Sequence, residues 1–129
     1  MGLRDIEVRA SQARAFLQAA RVTSDFSDEV SVEAAANVIA TNAVLAGIAA
    51  ADAICGRALG VRSSSSQHSD ALAILRRAHG GEAAAGHLRA LLSLKNDASY
   101  EPLMITSVKA AAAIQHAERL VDLMERILR

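Results

Sequence analysis

Aromatic side chains make up only 2% of this 129-residue chain, tryptophan is missing, and there is one proline and one cysteine. With so few rings to fill an interior, the core falls to alanine, leucine, isoleucine and valine, a set that favours close helix packing. A single proline and the lack of alternating β-branched runs argue against strands, and abundant alanine argues for helix. The lone Cys55, inside an apolar stretch, excludes an intramolecular disulfide, points to a reducing compartment and reads as a small core residue. No apolar run follows the scattered charges of Met1 to Asp5, so a secretion signal is not expected and the protein is expected to be cytoplasmic.

Charge of one sign is also lacking: 14 basic residues balance 14 acidic ones. Residues 1–56 carry four basic and seven acidic groups, whereas residues 57–100 carry six basic and three acidic, leaving the middle third at net +3. With a sequence pI near 6.9 the chain has no dense basic face for counterion release, so weak or no nucleic-acid binding is expected, with room for a specific or partner-assisted contact. Arginine outnumbers lysine twelve to two, which fits a high-GC bacterial genome and carries no mechanism. An apolar content of 52% and a mass of 13.5 kDa define one globular domain over residues 1–129, able to bury a core.

Periodicity predicts an all-α fold, an up-down bundle of about five helices with a long central second helix. The first runs from Asp5 to Val22, with Ile6, Ala10, Ala13, Phe16, Leu17 and Ala20 as its buried stripe. The second runs from Ser31, a good N-cap, to Leu59 before Gly60, about 42 Å of helix. Within it Ala34 to Ala51 raises the membrane question, but Asn37, Thr41 and Asn42 interrupt it and alanine inserts poorly, so a surrounded central helix is expected. A helix so long and so apolar needs covering by the other helices or by a symmetry mate, which predicts a homodimer. Val61 to Ser69, with four consecutive serines, reads as a mobile loop. Short helix three spans Asp70 to Ala78, helix four Glu82 to Asn96, and helix five starts at Thr106 or Ser107 and runs to the C-terminus, expected antiparallel to helix two. Asp122 with Arg126 and Glu125 with Arg129 read as surface pairs four apart.

Few polar residues stand on apolar stripes. Steps of three and four from Ala84 through Leu88, Leu91 and Leu92 land on Lys95, either a snorkelling lysine or the floor of a polar pocket. Asp52 shares a stripe with Leu45, Ile48, Cys55 and Leu59, and a carboxylate buried there needs a cation, for which Arg62, His68 and Lys95 are the nominees. The candidate pocket therefore joins Asp52, Arg62, His68, Lys95 and Tyr100, with Asn42, Ser63 and Asp97 as secondary candidates; its bland counterpart is an ion pair anchoring the loop or helix four. His68, His79, His87 and His116 lack metal-ligand spacing, no glycine loop fits a phosphate, and no hydroxyl or thiol has the setting of a nucleophile, so neither metal nor cofactor is expected.

The run Lys95, Ala98, Tyr100, Glu101, Pro102, preceded by Asn42, Asp52, Arg62, Ser63 and His68, resembles a small bacterial subgroup of HEPN domains, the nucleotide-binding helical domains shared by higher eukaryotes and prokaryotes. The likeness covers residues 10–129 and implies a HEPN-like bundle. Ribonuclease members carry an arginine followed four to six residues later by a histidine; here Lys95 is followed by Tyr100, and the next histidine after Lys95 is His116. The resemblance thus implies a non-catalytic binding or interaction module, within a toxin–antitoxin or nucleic-acid-associated system, with a protein partner or a second copy. Two alternatives are a divergent metal-independent ribonuclease and a structural subunit of a larger assembly. In the ribonuclease, Lys95 would hold phosphate, and Tyr100 or His68 would replace the histidine, although tyrosine, titrating near 10, is a poor base at neutral pH.

Overall fold

The structure is a computed structural model; it describes the backbone of residues 2–29, 31–59, 68–78, 81–100 and 105–129, and the side chains of these except 59, 68–71 and 96–100. Five α-helices, α1 (Leu3–Asp25), α2 (Val32–Leu59), α3 (His68–Arg77), α4 (Gly81–Tyr100) and α5 (Ser107–Leu128), and a 3-10 turn at Ser27–Glu29 account for the regular structure, with no strand among the described residues. The chain is an all-α bundle.

Local chemistry starts two of these helices where the sequence places them. The Ser31 hydroxyl accepts from the Ala34 amide at 3.2 Å, and the Thr106 hydroxyl accepts from the Lys109 amide at 3.1 Å, each satisfying a first-turn donor that has no partner within the helix. Helix four runs to Tyr100, four residues beyond its expected end, so the weak propensities of Asn96, Asp97 and Ser99 do not stop it. Helix three begins at His68, two residues early. Gly60 and the expected loop over 61–67 lie outside the described residues.

Side-chain pairings fix the directions. Arg9 meets Asp52 near one end of α1 and α2, while Ala20 packs with Ala36, Ile39 and Ala40 near the other, so α1 and α2 are antiparallel. Arg14 binds Glu125 and Arg21 binds Glu118, which makes α5 antiparallel to α1 and hence parallel to α2. Helix four opposes α5, with His87 beside His116 and Leu94 packed with Ile105 and Ala110. The expectation that α2 and α5 run antiparallel is therefore corrected. Five alternating helices would give that result, but ten-residue α3 packs beside α4 and α2 without taking a full place in the bundle. The four long helices alternate, and α2 and α5, second and fourth of them, point the same way. Helix one packs on one side of this central pair and α4 on the other.

Helix two sits at the centre, in contact with α1, α3, α4 and α5. By length and composition it could cross a membrane, yet 67% of its most apolar window is buried within the chain, so packing against its neighbours consumes most of that surface. Ala43, Ala46, Ala49, Ala50 and Ala53 are all fully buried on it. Gly47 marks the tightest crossing: a methyl group there would collide with the Leu91 Cδ1 of α4 and come within 3.3 Å of the Leu120 Cδ1 of α5. A side chain on Gly81 would instead run into the Arg76 backbone, so only glycine lets α4 start against the end of α3.

Of the acid-before-base pairs expected along α5, Glu125–Arg129 gives way to a bond between helices, and Glu118 makes a second such bond. Glu125 accepts from the Arg14 Nε at 3.0 Å and Nη2 at 2.5 Å, and Glu118 accepts from the Arg21 Nη2 at 3.0 Å.

Candidate interaction surface

Asp52 is the one primary candidate whose side chain is described together with its partner, and that partner is Arg9 of α1. The Arg9 Nη2 and Nε donate to Oδ2 at 2.7 and 3.0 Å, and its Nη1 donates to Gln12. Neither Arg62, His68 nor Lys95 was needed to provide the cation. The two side chains are 17% and 23% exposed, so either can rehydrate if the other is removed, and this is not the fully buried pair whose breakage costs about 3 to 5 kcal/mol.

Asp52 and Lys95 are not brought together. Leu91 faces Gly47 and α4 runs opposite to α2, so four residues further along α4 and five further along α2 lead in opposite directions, a separation of roughly 13 Å along the bundle. Lys95 lies half-buried at the end of the stripe formed by Ala84, Leu88 and Leu91, all fully buried. Asn42 returns its Nδ2 to the Val38 carbonyl at 3.0 Å, a bond within its own helix. Arg62 and Ser63 lie outside the described residues, as do the side chains of His68, Asp97 and Tyr100. Cys55 is buried, and its thiol is pushed up to about 11, first by burial and then by Asp52, so it is no thiolate nucleophile at neutral pH.

What the Arg9–Asp52 pair borders is a surface. Val8, Gln12, Ala15, Ala19 and Val22 form one stripe of α1, and Val38, Thr41, Leu45, Ile48 and Asp52 one stripe of α2. Val8, Arg9, Gln12 and Asp52 line a common depression, which places the two stripes side by side on one face. Val8, Val22, Val38 and Leu45 are 44%, 43%, 46% and 38% exposed, so four apolar side chains of this face meet water. Between Arg9 and Asp25 the only charges on α1 are Arg14 and Arg21, both turned to α5, and α2 carries none between Glu33 and Asp52. The face is therefore apolar and uncharged along its middle, with exposed acids at one end, Asp25, Asp28, Glu29 and Glu33, and a mixed set at the other.

A second feature that sequence spacing did not reveal is the contact of His87 on α4 with His116 on α5, Nδ1 to Nδ1 at 2.9 Å with the rings 53° apart. The residues are 29 apart in sequence, and only the register of α4 against α5 joins them. An Nδ1–H on either ring can donate to the other ring's Nδ1, whereas protonating both rings would set two cations against each other, in a groove also lined by Gln115, Glu118, Arg119 and Asp122. His87 is held below its ordinary value of 6.5, by burial first, then by His116 and Arg119. A base whose folded pKa is depressed favours folding while neutral, so this contribution is complete above about pH 6.5 and is lost as pH falls through the lower folded value. The melting temperature is expected to drop more steeply between pH 7 and pH 5 in the native chain than in His87→Gln; equal slopes would remove the histidine pair as the cause. Among the described residues no group of three or more His, Cys, Asp or Glu side chains could hold a metal ion.

Comparison with known proteins finds no matching family, no similar curated protein and no similar solved structure.

Proposed function

We propose that this chain is a non-catalytic, HEPN-like interaction module of the bacterial cytoplasm that works as a homodimer. The observation that carries the reading is the uncharged apolar face shared by α1 and α2. Surfaces of this kind mark association sites, because covering valine and leucine removes apolar area from water without stripping hydration from a charge. A second copy suits the face better than a charged partner does. Two copies related by a two-fold axis, with α2 antiparallel to its mate, would lay Leu45 and its neighbours on their equivalents and keep the two acidic ends apart. The Arg9–Asp52 pair would then sit at the rim, where a part-exposed ion pair costs little.

The HEPN likeness rests on Asn42, Asp52, Arg62, Ser63, His68 and the Lys95 to Pro102 run, and it alone carries the toxin–antitoxin or nucleic-acid setting. Binding is preferred to ribonuclease chemistry because Lys95 and Tyr100 stand where the likeness places the arginine and histidine of the catalytic members, although Arg62 and His68 share that spacing earlier in the chain, and because Lys95 and Asp52 sit at different levels of the bundle. Light scattering at micromolar concentration is expected to give about twice the 13.5 kDa chain mass. A mass of one chain, unchanged on further concentration, contradicts the proposal.

A further inference from the structure

Three helices end together. Arg57 in the last turn of α2, Arg77 at the end of α3 and Arg126 in the last turn of α5 open into a single cleft of about 650 Å³. Among the described residues the remaining lining is Ala58, Ala78, Leu123 and Ile127, with no carboxylate. None of the three arginines makes an ion pair among the described residues, whereas Arg9, Arg14, Arg21 and Arg76 each meet an acid.

The ordinary reason for arginine in a last turn is the helix dipole. Each C-terminus presents roughly half a negative charge, so three ends offset only about half of the three positive charges in the cleft. The rest is uncompensated. The apolar lining makes this more consequential, since low-dielectric walls strengthen the field of the guanidinium groups and, among the described residues, no other polar side chain lines the cleft to absorb it. The small side chains of Ala58 and Ala78 leave the cleft open between the arginines, and its volume lies in the range of small-ligand sites. Guanidinium is the group that pairs with phosphate oxygens in a planar, two-bond fork.

We propose that this cleft binds a compact polyanion bearing two or more phosphate groups, which the three arginines hold from three directions. The site lies at the end of the bundle, apart from the α1–α2 face, and does not depend on dimerisation.

Isothermal titration of the full chain with inorganic tripolyphosphate, at matched ionic strength and with orthophosphate as the single-phosphate comparison, tests it. The expected result is saturable binding at one site per chain, weaker for orthophosphate. Arg57→Gln, Arg77→Gln and Arg126→Gln should each weaken it by about tenfold, the loss of one charge-assisted bond. The triple variant should lose it. Arg14→Gln, whose native partner is Glu125, should leave binding unchanged, and circular dichroism reads whether each variant is folded. No saturable binding overturns the proposal, as do equal losses in Arg14→Gln and the cleft variants. Binding of a single-stranded oligonucleotide that tripolyphosphate fails to displace also overturns it, assigning the charge to a nucleic-acid backbone tracked along the surface.

Discussion

Leu120→Ala is expected to destabilise the protein by about 3 to 5 kcal/mol, the upper part of the range for leucine truncation in a core. Leu120 is fully buried on α5 and approaches the α2 backbone at Gly47, where Leu91 of α4 also packs. Three helices meet there, and their backbones cannot close over the void without undoing the contacts on either side. The cost is therefore transfer plus cavity, with little relaxation. For a chain of this length the melting temperature should fall by roughly 10 to 15 °C, with the denaturant slope unchanged. Val108→Ala, at a side chain 77% exposed, should stay within about 0.5 kcal/mol of the native chain. Urea unfolding followed by circular dichroism gives both numbers, and a Leu120→Ala loss below about 1.5 kcal/mol would show that the three-helix crossing is looser than described.

Leu45→Arg is expected to separate the proposed dimer while leaving the fold alone. Leu45 lies mid-way along α2 on the uncharged face and is already 38% exposed, so a long cationic side chain can reach water in a single chain. In the dimer a two-fold axis counts every change twice and brings two unpaired cations into an apolar contact. Desolvation then weakens association by at least about a hundredfold, close to 3 kcal/mol. The native melting temperature should rise with protein concentration, because a partner that binds only the folded state stabilises it by mass action. The variant's should not. Helix content by circular dichroism should be the same in both, and a variant that keeps the dimer mass would move the interface elsewhere.

Much of the fold was legible because it depends on local chemistry. The Ser31 and Thr106 caps, the span of α2 and the stripe from Ala84 to Leu91 each follow from neighbours within a few residues. What escaped depends on register between helices. Asp52 signalled that a cation was needed, but Arg9, 43 residues away, could be nominated only with α1 laid antiparallel on α2. The same holds for His87 with His116, and for Arg57, Arg77 and Arg126, which share nothing in sequence except their places near helix ends. Length and wide apolar faces suggested that α5 opposes α2, but neither fixes direction, and ten-residue α3 leaves α2 and α5 as second and fourth of four alternating long helices. The apolar face was half legible: the length of α2 announced that something must cover it, while Val38 and Leu45 could not be distinguished from core residues until the other helices had taken their positions.

The account's central claim, that α1 and α2 present the surface on which a second copy docks, is tested most directly by cross-linking at Leu45. Cys55 is buried with a thiol pushed up to about 11, so a cysteine introduced on the surface is the reactive one. Leu45→Cys should form a disulfide-linked dimer under mild oxidation, at a rate insensitive to dilution across the range in which light scattering shows dimer, while Val108→Cys on α5 should remain single-chain. Equal cross-linking at the two positions, or none at position 45 under conditions where the dimer mass is measured, would contradict it.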